Sequence, residues 1–187
     1  MRIRPDNAYA EDVLSFWFEE TKPSQWYRRD ARFDALCRRR FGPLLAAARD
    51  GALDVWRASP RPALARIIIL DQFSRNIYRD DSRAFAQDPL ALSAARDAVA
   101  RRFDLLFPQR MQAFFLMPFM HAEDMAAQDL SVRYFMTRHP GAGNLSYAID
   151  HRDIIDRFGR FPHRNRILGR RSTPEEIQFL KRGGFNP

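Results

Sequence analysis

Two histidines, His121 and His151, fall on helix faces otherwise built from Met, Val, Ile and Phe. An imidazole titrates near neutral pH and can act as a general base when a carboxylate orients it. Polar side chains on an apolar face must satisfy one another or surround a cavity. After Pro118, His121 precedes Met125 by four residues and Gln128 precedes Val132 by four. Both therefore share the stripe of Met125, Val132, Phe135 and Met136, with Asp124 at its edge and Glu123 pointing to solvent. The segment ending at Phe158 repeats the pattern. Tyr147, Ile154, Ile155 and Phe158 define its apolar side, His151 lies among them, and Asp153–Arg157 forms an i,i+4 surface pair. A third instance follows the run Ile67-Ile68-Ile69-Leu70. There Gln72 and Asn76 share the stripe of Ile69 and Phe73, and Asp71 and Arg75 form a second i,i+4 pair that would be costly to bury unpaired.

These positions suggest one site. His121, Asp124 and His151 would carry acid–base chemistry, with Asp71, Gln72, Arg75, Asn76 and Gln128 lining a pocket. The stretch Arg157-Phe158-Gly159-Arg160-Phe161-Pro162-His163-Arg164-Asn165 would supply its mouth. Phe158 and Phe161 anchor the loop by burial, which leaves Arg160, His163, Arg164 and Asn165 for an anionic or planar ligand. No GxSxG, Walker or GxGxxG motif is present, so the reaction stays open, with hydrolysis as the default. The plainer alternative is a structural network of hydrogen-bonded core histidines and Asp–Arg ties between helices. A divalent metal held by His121, Asp124 and His151 is a further alternative. The chain lacks HExxH or paired ExxH spacing, so no metal site or cofactor is predicted.

The elements that position these groups are helices. Helical periodicity recurs along the chain, and no stretch alternates like a strand. Val13, Phe16 and Trp17 mark a first helix; Phe33, Leu36 and Cys37 a second; Leu44, Leu45 and Ala48 a third closed by Gly51. Pro60 and Pro62 introduce a fourth, apolar all round and hence central. Leu90–Phe103 follows an Asp88-Pro89 start signal, and Pro108 opens a short helix to Leu116. Pro118 is expected to start a long helix to Arg138, stopped by His139-Pro140-Gly141. Asn144–Phe158 comes next. Ser172-Thr173-Pro174-Glu175-Glu176 opens the last helix with a hydroxyl cap, a proline and two carboxylates, and Gly183-Gly184 ends it. The whole is expected to form a single all-α domain over residues 1–187, with eight or nine helices.

Composition narrows the setting. The 187 residues are 45% hydrophobic with 16 Phe, enough for a proper core. Cys37 is the sole cysteine, and MRIRPDNAYAED shows no apolar leader, so a reducing, cytoplasmic location is expected. The longest apolar stretch, Phe114–Met120, is too short to span a bilayer, which argues against a membrane. Net charge is +8, and every basic residue except Lys22 and Lys181 is arginine. Only one arginine–aromatic interleave occurs, with acidic residues near it, which argues against nucleic acid as partner.

Several blocks carry a resemblance: LDQFSRNIYR (Leu70–Arg79), HAED (His121–Asp124), HRDIIDRFGRFPHRN (His151–Asn165) and LGRRSTPEEIQFL (Leu168–Leu180). With FWF at Phe16–Phe18 and DARFD at Asp30–Asp34, they make the chain similar over nearly its whole length to a bacterial family known as domain of unknown function 924. The resemblance implies an all-helical, tetratricopeptide-like array and no particular activity. The chain departs from the family at Ser74, where proline is usual, and at Ala122, where serine is usual. The first departure predicts a longer central helix; the second removes a hydroxyl beside His121.

Two functions from different classes remain. One is a polar His/Asp/Arg pocket for a small anionic ligand or substrate, with hydrolase-type acid/base chemistry. The other is a protein- or peptide-binding module without catalysis, presenting aromatics such as Trp26, Tyr27 and Trp56 along a groove. Whether the protein is an enzyme is therefore left open by the sequence.

Overall fold

Helices and short helical turns make up the architecture, and no strand occurs among the described residues. The computed structural model describes residues 7–141 and 143–184; residues 1–6, on which part of the leader expectation rests, lie outside it. Helix α1 (Asn7–Ser15) continues into a wide turn at Phe16–Glu20, and α2 (Pro23–Trp26) comes after it. Helix α3 (Ala31–Arg49) begins where the Asp30 carboxylate accepts the backbone N–H groups of Arg32 and Phe33. It carries Pro43 in its interior, so the second and third helices expected from the sequence are one.

The central rod is α4 (Pro60–Ile68), a second wide turn at Ile69–Phe73, and α5 (Ser74–Ile77). Ile67 through Leu70 are fully buried, as the all-round apolar run predicts. Ser74 lets the rod continue by one helical turn; its hydroxyl donates to the carbonyls of Leu70, Asp71 or Ala84. Then come α6 (Asp88–Ala100), α7 (Gln109–His121), α8 (Met125–Arg138), α9 (Asn144–Phe158) and α10 (Pro174–Lys181). Among the described residues, no helix is long and apolar enough to cross a membrane.

One expected boundary is displaced. Pro118 does not open a helix: it lies inside α7, which ends at His121, and Ala122 is extended with ψ 136°. Asp124 starts α8 by accepting the backbone N–H of Ala127. His121 and Gln128 therefore belong to different helices. Met136, expected on the apolar stripe, is exposed, and so is Tyr147.

Consecutive helices pack on one another: α6 on α7, α7 on α8, α8 on α9, with α1 and α6 on α4 and α3 against the rod's second wide turn. This arrangement is compatible with a tetratricopeptide-like array. One apolar core runs through these layers, with Phe16, Trp17, Phe41, Phe73 and Phe114 stacked edge or face on one another. Trp26 and Trp56, candidates for an exposed groove, belong to this core. A satellite cluster of Ile154, Ile155 and Phe161 fixes the chain after α9. Its neighbour Phe158 packs on Phe179 at 5.1 Å, so both phenylalanines anchor the loop as expected.

Candidate functional site

The second wide turn decides where the site lies. A turn that hydrogen-bonds i to i+5 inserts one residue into the helical frame, and such bulges often occur at functional positions. Here the turn carries Asp71, whose side chain is only 2% exposed. Its Oδ1 lies 2.7 Å from His121 Nδ1 at the end of α7. It also lies 3.2 Å from an Arg75 nitrogen, and the Gln72 amide donates to Oδ2. Burial alone would push the Asp71 carboxyl up. The positive charges of His121 and Arg75 outweigh that and hold it below the usual carboxylate range. An ionised carboxylate only accepts, so His121 Nδ1 donates, and whenever the ring is neutral Nε2 carries the lone pair. Among the described residues, no hydrogen bond uses Nε2 of His121, whose side chain is 16% exposed.

His151 stands beside it, ring centroids 6.2 Å apart. Its Nδ1 donates to the Tyr147 carbonyl one turn earlier, at 2.6 Å, so both imidazoles take the same tautomer. Burial, then the charge of His121, pulls the His151 pKa down to about 3, and the ring stays neutral. Phe161 packs edge-on to His151 at 5.5 Å and faces His163 at 5.6 Å. Burial and the neighbouring Arg164 likewise lower His163 to about 4.

The arginines at the site are matched. Arg75 reaches both Asp71 and Asp88, and Asp88 also pairs with Arg164 at 3.1 Å. Arg164 closes the circuit by donating to the His121 carbonyl at 3.1 Å. Its guanidinium lies 4.5 Å from the Phe85 ring and 4.6 Å from the Phe161 ring, 7% exposed, and burial lowers its pKa to about 10. His121 is thus held twice, by its side chain through Asp71 and by its backbone through Arg164. Asp88, legible in the sequence only as a helix-start signal, is the residue that the site adds.

Of the sequence candidates, Asp71, Gln72, Arg75, His121, His151, His163 and Arg164 come together. Others go elsewhere. Asp124 caps α8 and lies 3.7 Å from Arg96. Gln128 is fully buried, but its amide donates to the carbonyls of Met120 and Ala122, tying the corner between α7 and α8. Asn76 faces α3, where with Arg79 it holds the Asp34 carboxylate. Arg160 grips Glu176 with two bonds of 2.6 and 2.8 Å, and Asn165 bonds Glu176 and Ser172. Glu123 is not solvated: it pairs with Arg170 and accepts the Phe161 N–H. The expected Asp153–Arg157 pair gives way to Arg152–Asp153 and Arg157–Glu175.

Two tyrosines are largely exposed. Tyr27, beside Trp26, is 65% exposed, and Tyr147, on the turn before His151, is 57% exposed. Burial of its hydroxyl, then the nearby Asp71 carboxylate and Tyr147 phenol, push the Tyr27 pKa up to about 12. Among the described residues, no group of three or more His, Cys, Asp or Glu could hold a metal ion. Cys37 is buried and its thiol is pushed up to about 12 by burial and Asp34, which makes it a poor nucleophile.

Comparison with known proteins identifies relatives without an assigned role. The model of a family described as bacterial protein of unknown function (DUF924) matches residues 13–184. A solved structure, the protein of unknown function ATU0120 from Agrobacterium tumefaciens, is 41% identical. That similarity covers 95% of this chain and 100% of the other, with a TM-score of 0.90. No curated protein matches.

Proposed function

The chain belongs to the bacterial family DUF924, and for this member we propose proton-transfer catalysis on a small molecule, with His121 as general base and acid. The supporting observation is the 2.7 Å bond from His121 Nδ1 to the buried, ionised Asp71. Nε2 accepts a proton from a bound substrate or from the water attacking it. Asp71 stabilises the resulting imidazolium, and the same proton is then given to the departing group. Arg75 and Gln72 keep Asp71 in place and charged. His151, neutral and hydrogen-bonded to its own helix, forms a wall beside the reacting nitrogen and adds no competing charge. Of the reactions such a pair performs, hydrolysis asks least of the site, since water is both nucleophile and proton source.

Carbethoxylation by diethyl pyrocarbonate, resolved for each histidine by mass spectrometry, tests the reading. His121 should react fastest of the four histidines, and D71N should slow it by about tenfold or more, by removing the charge that supports the imidazolium. A His121 no faster than the others, or indifferent to D71N, would overturn it.

A further inference from the structure

We propose a second site, separate from His121, in which Arg29, Arg38 and Arg79 bind the phosphoryl group of a small molecule. Arg160 and Arg164, expected from the sequence to meet an anion, are committed to Glu176 and Asp88. The other side of the central rod is different. Asp71 and Asn76 face opposite ways from it: one meets His121 of α7, the other Asp34 of α3. On the α3 side a cavity of about 220 Å³ is lined by Arg29, Asp34, Ala35, Arg38, Asn76 and Arg79, with Asp80 at its edge. That volume is below the roughly 300–1,000 Å³ of drug-sized sites, so it suits a small solute.

Three guanidiniums reach this cavity from separate segments. Arg29 precedes α3, Arg38 lies on it, and Arg79 follows α5. Asp34, 7% exposed, fixes the arrangement. Nε and Nη2 of Arg79 donate to its two oxygens, and the Asn76 amide donates to Oδ1 at 2.9 Å. Arg38 spends the same edge, Nε and Nη2, on the Ile77 carbonyl at the end of α5. Both guanidiniums are therefore anchored, and among the described residues neither uses Nη1 in a hydrogen bond.

The charge balance favours an anion. Arg79 matches Asp34, and Arg29 matches Asp80. Arg38 pairs with no carboxylate among the described residues, so the lining keeps one uncompensated positive charge. The Arg29–Asp80 pair is exposed on both sides, and such pairs hold weakly, so Arg29 can turn to a ligand at little cost. Asp34 needs no such exchange, because its charge is already balanced where it is buried. A phosphoryl group presents three outer oxygens, one for each guanidinium, where a carboxylate presents two. The plainer role for Arg38, capping the last carbonyls of α5, is what the experiment must separate from this one.

The test adds inorganic phosphate, glycerol phosphate or acetate to the intact protein at constant ionic strength. Arginine Nε–H and histidine ring signals are followed by NMR. Both phosphates should shift the Arg38 and Arg79 signals saturably, at concentrations about fivefold or more below acetate, and leave His121 unmoved. Tighter binding of glycerol phosphate would assign an ester and tighter binding of phosphate the free ion; either order supports the site. R38M should weaken phosphate about tenfold. A35E, which sets a carboxylate in the lining, should do the same, whereas A35Q should stay within about twofold of the parent. Arg38 and Ala35 are both exposed, so neither change disturbs the core. No saturable shift, acetate binding as tightly as phosphate, R38M binding like the parent, or A35E no weaker than A35Q would each overturn the proposal.

Discussion

His121 Nδ1, at the last residue of α7, lies 2.7 Å from Oδ1 of Asp71, fifty positions earlier in the wide turn of the central rod. That bond joins a buried charge to a partly exposed base. Its surroundings carry consequences for stability that can be measured separately from any reaction.

Asp88 is the first. It is the carboxylate shared by Arg75 and Arg164, and Arg164 is 7% exposed. Removing one partner of a buried pair leaves an uncompensated charge, at a typical cost of about 3–5 kcal/mol. D88N should lower the urea midpoint accordingly. The double variant D88N/R164M should be more stable than D88N alone, because a thioether between Phe85 and Phe161 needs no counter-charge. A D88N protein as stable as the parent would show that the circuit contributes nothing.

Acid sensitivity is the second. His151 and His163 have folded pKa values of about 3 and about 4, against 6.5 for the free side chain. Between these values the unfolded chain binds protons that the folded chain does not. Stability is therefore greatest above pH 6.5 and falls as the pH drops toward 4. Each pH step of one below the free-histidine value costs about 1.4 kcal/mol per group, so the loss should reach a few kcal/mol by about pH 4.5. Paired carboxylates such as Glu176, held at about 2 by Arg160, contribute only at lower pH. Denaturant melts at half-unit pH steps should show the decline, and H163Q should flatten part of it. A profile level from about pH 7 to about pH 4.5 would contradict these lowered histidine values.

Gln128 makes a third case, in which an expected ligand becomes a structural tie. Its amide bonds the carbonyls of Met120 and Ala122 at 2.8 and 2.7 Å, where the chain breaks between α7 and α8. Q128A should cost about 1–3 kcal/mol by leaving buried carbonyls unsatisfied. An unchanged melting temperature would show that water replaces the amide at no cost.

Thr173 supplies a fourth. Its hydroxyl accepts the Glu176 N–H at 3.2 Å, and the Glu176 carboxylate accepts the Thr173 N–H at 2.7 Å. T173A should lose about 1 kcal/mol, and T173S much less. E176Q should cost more than T173A, because it also loosens Arg160 and Asn165. Equal melting temperatures for the two variants would show that the carboxylate adds nothing beyond the cap.

Much of the fold was legible because its signals are local. The capping box at Thr173, the all-round apolar run at Ile67–Leu70 and the stop at His139-Pro140-Gly141 each act within one helical turn. The site was legible only in part. An inserted residue rotates the rest of the helix by roughly 100° about its axis, so the wide turn breaks the stripe that a regular helix would keep. Gln72 consequently turns to Asp71 and Met117, while Asn76 turns to Asp34 on the other side. Asp124 illustrates a second limit. A regular helix through Pro118 would place it beside His121, but the chain bends at Ala122 and the carboxylate becomes a cap. Asp88 carries no local trace of Arg164, 76 positions away, so only folding reveals that pair.

The most direct measurement is the tautomer of His121, read from two-bond and three-bond nitrogen–proton couplings in NMR spectra of the uniformly labelled protein above the titration range. Nδ1 should carry the proton and Nε2 the lone pair in the parent protein, and D71N or D71A should redistribute the proton between the two nitrogens. A parent ring protonated on Nε2, or a tautomer indifferent to loss of the Asp71 charge, would contradict the pairing on which the proposed chemistry stands.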